Sequence, residues 1–169
     1  MGDQKINHIK DEYSQASKDK IIIIGLGNTL LQDAGIGVHI IQELQKMNLP
    51  DNIELIDGGT AGLDLMDYMN KGVDKVIIID AVKGGRTPGT VFRLSANEIM
   101  TTTKHIFSIH QADLVDAIKM IDLFGRKPQE IVIIGVVPDE IEWALNLSPV
   151  LQSKIPEIIR VILDEIEKK

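Results

Sequence analysis

Cysteine is absent from the 169-residue chain, which excludes disulfides, thiolate metal sites and cysteine nucleophiles. Aromatic residues make up only 4% of it, and no apolar run approaches the roughly 18 residues that span a bilayer. Basic residues are outnumbered: 18 Lys and Arg stand against 25 Asp and Glu, a net charge of -7. Because no dense basic cluster is present, binding to a nucleic-acid backbone is not expected. These absences predict a cytoplasmic protein that binds no nucleic acid and does not insert into a membrane.

The chain divides into a tail and one domain. Residues 1–19 have neither the apolar segment of a signal peptide nor the Arg-rich, acid-poor character of a transit peptide, so they predict a polar, flexible tail. Residues 20–169 are enough for one compact domain that buries most of its apolar surface without cross-links.

Short runs of β-branched residues alternate with stretches of helical spacing. The runs that predict buried strands are Ile21–Leu26, Ile53–Ile56, Val76–Ile79 and Ile131–Val137. Gly89–Leu94 predicts a further strand, antiparallel or at an edge because a turn precedes it. Apolar positions with helical spacing occupy residues 38–44, 65–69, 114–121 and 151–166. The alternation predicts a three-layer α/β/α sandwich around a mostly parallel, twisted sheet of about five strands, with functional sites at the carboxyl ends of the strands.

The loop after the first strand, GLGNTLLQDAGIG, begins like a dinucleotide-binding fingerprint. Leu30 stands where the third glycine is needed, so a pyrophosphate cradle has little support. Asn28 predicts a turn pinned by its own side chain. Asp33 directly precedes the helical stripe, and its simplest interpretation is a helix N-cap or a partner of the helix dipole.

Polar residues also follow the other strands. Asp57 ends the second strand in the sequence IDGGTAG, where helix entry is the simplest explanation. Asp80 ends the apolar run VIIID, and a carboxylate there is costly unless it is paired, hydrogen-bonded or bound to a metal. His110 is the only histidine directly before a helix, whereas His39 is expected on a helix surface. Asp80 and His110 with Asp33 nearby would make a site suited to nickel or zinc.

Several motifs together resemble the nickel-iron hydrogenase maturation endopeptidases. They run in the family's order and cover nearly the whole chain after the tail: GLGNTLLQDAGIG, IDGGTAG, IIIDAVKGG with TPGT, IHQADL, IIGVVPDEIE and LSP. Several motifs at matching intervals are far more specific than one glycine-rich loop.

The resemblance implies an endopeptidase that removes the C-terminal extension of the immature [NiFe] hydrogenase large subunit. Nickel would be supplied by that substrate, and no permanent organic cofactor is expected. The resemblance places metal ligation and catalysis on Asp80 and His110. Asp57 would lie close by and orient a ligand or the scissile segment. Asn28, Gly58 and Gly59 are expected to help position the substrate.

One position departs from the family pattern. The family's first loop carries two successive acids, of which the second binds metal, and here the pair reads Asp33-Ala34. Asp33 is retained as a catalytic candidate, although adjacent residues in a helical turn point apart. Three accounts remain open: an engineered inactive variant, a natural branch with fewer ligands, or a relative that binds its partner without cleaving it. A nucleotide- or small-ligand-binding module is the competing class.

The partner is expected at the carboxyl edge of the strands and on two loops, Lys83–Thr90 and Ser95–Ile109. There is no GxSxG elbow for a serine nucleophile, which makes water the expected nucleophile. Nothing in the sequence indicates the oligomeric state.

Overall fold

The structure is a computed structural model that describes residues 19–60, 64–101, 107–108 and 111–168. Its strands are β1 (Ile21–Leu26), β2 (Ile53–Gly59), β3 (Lys75–Lys83), β4 (Val91–Ser95), β5 (Phe107–Ser108) and β6 (Glu130–Val136). Its α-helices are α1 (Ile36–Leu44), α2 (Asp64–Met69), α3 (Ala96–Thr101), α4 (Gln111–Phe124) and α5 (Pro149–Glu167). The predicted tail lies outside the described residues except for Asp19.

The main sheet has the strand order β2-β1-β3-β6-β4. β1, β2, β3 and β6 pair in parallel, β4 runs antiparallel to β6 at the edge, and β5 pairs antiparallel with the end of β3. The mostly parallel sheet and its antiparallel edge strand confirm the prediction. Parallel strands buried on both faces favour continuous β-branched runs, which explains why four successive isoleucines form most of β1.

Helices cover both faces of this sheet. Successive strand residues point to opposite faces, so Ile21 and Ile23 pack with α1 and α5, while Ile22 and Ile24 pack with α2 and α4. All four isoleucines are at most 1% exposed. The predicted three-layer sandwich is therefore confirmed. Among the described helices, none has the length and apolar character that crossing a membrane requires.

Some predicted boundaries were wrong at the functional edge. β3 runs to Lys83 rather than ending at Ile79, because β6 stays paired with it as far as Ala81 and β5 pairs with Val82 and Lys83. β2 likewise runs on to Gly59. The predicted loop Ser95–Ile109 contains α3 and β5.

An ionic network lies at the amino ends of the parallel strands β3 and β6. The Glu165 carboxylate on α5 is 1% exposed and receives Lys75 at 2.7 Å and Arg93 Nε at 2.6 Å. Glu130 joins both cations, at 2.9 Å from each. These contacts tie the last turns of α5 to β3, β4 and β6 at the edge away from the candidate site.

Candidate active site

Glycines bring the first turn of α1 directly onto the strand ends. A Cβ on Gly25 would lie 2.2 Å from the carbonyl oxygen of Gly37. A Cβ on Gly37 would lie 2.3 Å from the carbonyl oxygens of both Leu26 and Ile79. The glycines of this loop therefore serve close packing of the chain on itself, and not the cradling of a phosphate.

The turn between β1 and α1 is pinned as predicted at Asn28. Its Oδ1 accepts a hydrogen bond from the backbone N–H of Leu30 at 3.0 Å. A short 3₁₀ helix, Gln32–Gly35, follows and packs against β3. Gln32 adopts a φ of 49°, a left-handed conformation that is unusual for a residue other than glycine. The turn thus holds a defined shape next to the strand that carries Asp80.

The prediction that Asp33 caps α1 was wrong. The N-cap of α1 is Gly35, which provides no side-chain hydrogen bond. The fully buried carboxylate of Asp33 instead accepts four hydrogen bonds: from Ser148 N to Oδ1, and from Asp139 N, Glu140 N and Ser148 Oγ to Oδ2, at 2.7–3.1 Å. Since these bonds join the first turn to the loop before α5, the geometry supports a structural rather than a catalytic role for Asp33.

Asp80 lies inside β3 where the neighbouring strand β1 ends. The last pair between those strands joins Gly25 and Ile79, and Asp80 then pairs with Gly135 of β6. Its side chain is fully buried, and Oδ1 accepts a hydrogen bond from the N–H of Ala81 at 2.8 Å. A buried carboxylate at the point where a strand leaves the sheet fits a group that meets a cationic ligand.

Asp57, Gly58 and Gly59 lie at the same edge, within β2. The Asp57 side chain is exposed, and its Oδ1 accepts a hydrogen bond from Gly59 N at 3.0 Å. The strand pairing with β1 shifts here, so that Leu26 pairs with Gly59. A Cβ on Gly58 would lie 2.8 Å from Leu26 Cδ2, so a side chain there would require Leu26 to move. The exposed carboxylate of Asp57 therefore lies beside the strand ends.

Of the predicted ligand pair Asp80 and His110, only Asp80 lies within the described residues. His110 lies outside the described residues, so its position relative to Asp80 stays a prediction. Within the described ranges, no group of three or more His, Asp or Glu side chains is placed to hold a metal ion. Ala34, at the position of the expected third ligand, is 3% exposed and contributes only a methyl group.

His39 was predicted on the helix surface, and it does lie on α1 but is only partly exposed. Its side chain is half-buried near the backbone carbonyl of Leu145, and Nε2 is buried with no hydrogen-bond partner among the described residues. Burial lowers the pKa of His39, and the nearby charges of Asp33 and Glu43 only partly oppose this. The position on an amphipathic helix gave no sign of a loop folding over it.

The loop Lys83–Thr90, predicted to meet a partner, does lie at this edge. It is tied to the end of β6 by hydrogen bonds from Gly89 N to Val137 O and from Val137 N to Thr90 O. Residues 85–87 at its tip are exposed. Whether this loop contacts a partner stays a prediction.

Comparison with known proteins identifies related chains. The family model HycI, hydrogenase maturation protease, matches residues 38–165. The Hydrogenase 2 maturation protease of Escherichia coli (strain K12) is 35% identical over 147 residues, which are 85% of this chain and 88% of that protein.

Two solved structures share the fold. The hydrogenase maturating endopeptidase HybD from E. coli is 34% identical, with a TM-score of 0.78 over 87% of this chain and 91% of that one. The [NiFe] hydrogenase maturation protease HybD from Thermococcus kodakarensis is 25% identical, with a TM-score of 0.72 over 88% and 99%. The similarity thus extends over the whole sandwich and confirms the resemblance seen in the motifs.

Proposed function

Because the chain belongs to the hydrogenase maturation protease family, we propose that it acts on the large-subunit precursor of a [NiFe] hydrogenase and removes its C-terminal extension. The observation that carries this proposal is the buried carboxylate of Asp80, placed where β1 leaves β3 at the carboxyl edge of the parallel strands. Open α/β sheets bind their ligands at this edge. We propose the cytoplasm as the place where it acts.

Nickel enters this proposal as part of the substrate. Asp80 and His110 would contact the nickel already inserted in the precursor, and the metal would position the scissile peptide next to a water nucleophile. Asp57, with its exposed carboxylate in the adjacent strand, would orient the extended segment. If the protein recognises a metal carried by the substrate, cleavage would occur only after metal insertion is complete.

Ala34 makes the site weaker than the family pattern predicts. The buried methyl group cannot supply an oxygen, and Asp33 is not placed to replace it, because both its oxygens accept hydrogen bonds from the loop before α5. We therefore expect slow cleavage. Ala34 also favours a second candidate function, in which the protein binds the loaded precursor without cutting it.

The nucleotide-binding alternative loses its support. Its basis was the glycine-rich first loop. The space beside Gly25 and Gly37, where a phosphate would have to lie, is occupied by the chain's own backbone. Family membership points to a polypeptide substrate instead.

Binding to the precursor tests the proposal whether or not cleavage is fast. We expect the chain to bind nickel-loaded precursor more tightly than nickel-free precursor, and Asp80→Asn to lose at least about 10-fold of that preference, the lower limit for groups that support a metal site. Asp67→Asn, an exposed aspartate on α2, is the matched control and should keep it. Equal binding of loaded and unloaded precursor by the unchanged chain would refute the role of nickel.

A further inference from the structure

Three large apolar side chains are displayed together beside the candidate site. A bridge joins Leu31 to Ala144, with hydrogen bonds from Gln32 N to Ala144 O at 2.9 Å and from Ala144 N to Leu30 O at 3.2 Å. The bridge and its hydrogen bonds bring the backbone of Leu30 next to Ala144, which Trp143 and Leu145 flank, so the three apolar residues lie close together. They are 50%, 81% and 66% exposed, and we call them the Trp143 surface.

Several hydrogen bonds fix the backbone that carries this surface. Besides the bridge, the Asp33 carboxylate fixes the backbone of the same loop at both of its ends. Gln32 Nε2 donates to Glu140 Oε2 at 3.0 Å. A tryptophan held in water on an ordered loop forgoes the stability that burial would give, which is typical of a preorganised binding surface.

The Trp143 surface adjoins the place where the substrate is proposed to be cut. Leu30 lies four residues before Ala34 in the same turn, and that turn packs against β3, which carries Asp80. Another exposed apolar pair, Leu123 and Phe124, lies at the end of α4. That end is at the opposite edge, since the nearby Arg126 N–H donates to Asn70 in the segment leading into β3. Of these two exposed apolar groups, the Trp143 surface is the one on the Asp80 side of the sheet.

Charge around the surface selects among possible occupants. Asp139, Glu140 and Glu142 are exposed in the same loop. A second copy of this chain docked face to face would bring these three acids against their own counterparts, in a molecule whose net charge is already -7. A partner segment that carries apolar side chains flanked by Lys or Arg meets both features of the surface.

We infer that the Trp143 surface is the docking site for a basic, apolar segment of the hydrogenase precursor, separate from the peptide that is cut. This inference rests on the proposed function. Tryptophan is among the residue types that dominate binding energy when they are desolvated at the centre of an interface. Docking there would hold the body of the precursor while its C-terminal extension crosses the strand edge.

The test is precursor affinity measured by biolayer interferometry, with nickel-loaded precursor that keeps its extension. Trp143→Ser and Leu145→Ser should each raise Kd, by about 30-fold for Trp143→Ser, the effect of a typical hot-spot residue. The matched controls Leu123→Ser and Phe124→Ser, exposed to a similar degree, should leave Kd unchanged. Urea unfolding midpoints of all four variants should match that of the unchanged chain.

A charge variant gives an independent measurement. Glu142→Lys should slow association with the precursor and weaken the loss of affinity on adding salt, because it removes part of the acidic rim. Wild-type affinity in Trp143→Ser, or equal loss in the α4 controls, would overturn the docking site and leave the proposed function standing. A dimer of the unchanged chain that Trp143→Ser dissociates, seen by sedimentation, would also overturn it. No precursor binding by the unchanged chain would overturn both proposals.

Discussion

Two kinds of side chain lie at the carboxyl ends of the strands: those that hold the loops together and those proposed to contact the substrate. Asp33 is of the first kind, because its four hydrogen bonds join the turn after β1 to the loop before α5. Ser148 extends this link: its Oγ also accepts the N–H of Leu151 and caps α5. Asp80 has a different setting, buried within a strand at a change of pairing.

Asp33→Asn should destabilise the protein by about 2–4 kcal/mol, since an amide nitrogen would face N–H donors and leave buried groups unsatisfied. Urea unfolding measures this loss. The matched change Asp57→Asn, at an exposed carboxylate with one local hydrogen bond, should cost less than about 0.5 kcal/mol. Equal stability of the two variants would show that Asp33 is not a structural link.

His39 should make stability depend on pH. Because its pKa in the folded protein lies below the usual 6.5, the unfolded chain takes up the proton more readily as pH falls through that value, and stability falls with it. Asp33 and Glu43 moderate the effect. His39→Gln keeps a polar side chain there but does not titrate, so its unfolding free energy should change less between pH 7.5 and pH 5. The same pH dependence in both proteins would exclude His39 as the source.

Among the elements, α5 is fixed at both ends by polar contacts. Ser148 begins it, and near its other end Glu165 lies among Lys75, Arg93 and Lys168. Burial alone raises the pKa of Glu165, but hydrogen bonds from these three cations outweigh it and lower the pKa to about 2. The contribution of this ionised carboxylate to stability is therefore present above the usual pKa near 4.5 and is lost as pH falls toward 2.

Glu165→Gln should destabilise the protein by about 3 kcal/mol, because it removes the buried carboxylate that pairs with Lys75, Arg93 and Lys168. Glu157→Gln on the same helix breaks an exposed ion pair with Lys154 and should cost no more than about 0.5 kcal/mol. Thermal and urea unfolding of both variants give the comparison. A small effect at Glu165 would mean that apolar packing alone anchors α5.

The strands could be predicted because burial on both faces favours continuous runs of β-branched residues, as the four isoleucines of β1 show. The continuation of β3 past Asp80 could not, since it depends on β5, which lies far along the chain. Helix α3 could not be predicted either, because it is short and has no repeating pattern of apolar residues. The burial of His39 and the display of Trp143 both follow from a loop that folds back over α1, and local spacing does not encode such long-range contacts.

At the scale of the whole molecule, one sheet edge carries the proposed chemistry and the proposed docking surface. Asp80 lies in the middle of this edge, and Asp57 and the turn with Ala34 lie beside it. The Trp143 surface adjoins the turn, so we expect its substitutions to weaken binding of the precursor body and substitutions at Asp80 to weaken the preference for nickel. The ionic network that anchors α5 lies at the other edge, away from both.

Cleavage of the nickel-loaded precursor, followed by the loss of its C-terminal extension in mass spectra, tests the central claim most directly. Ala34→Glu restores the missing acid, and Ala34→Gln places a side chain of the same size there without charge. We expect Ala34→Glu to cut about 100-fold faster than both the unchanged chain and Ala34→Gln, because ligation of the metal supplies several kcal/mol. Nickel-free precursor should stay intact with all three. Equal acceleration by Ala34→Gln, or cleavage without nickel, would contradict the account.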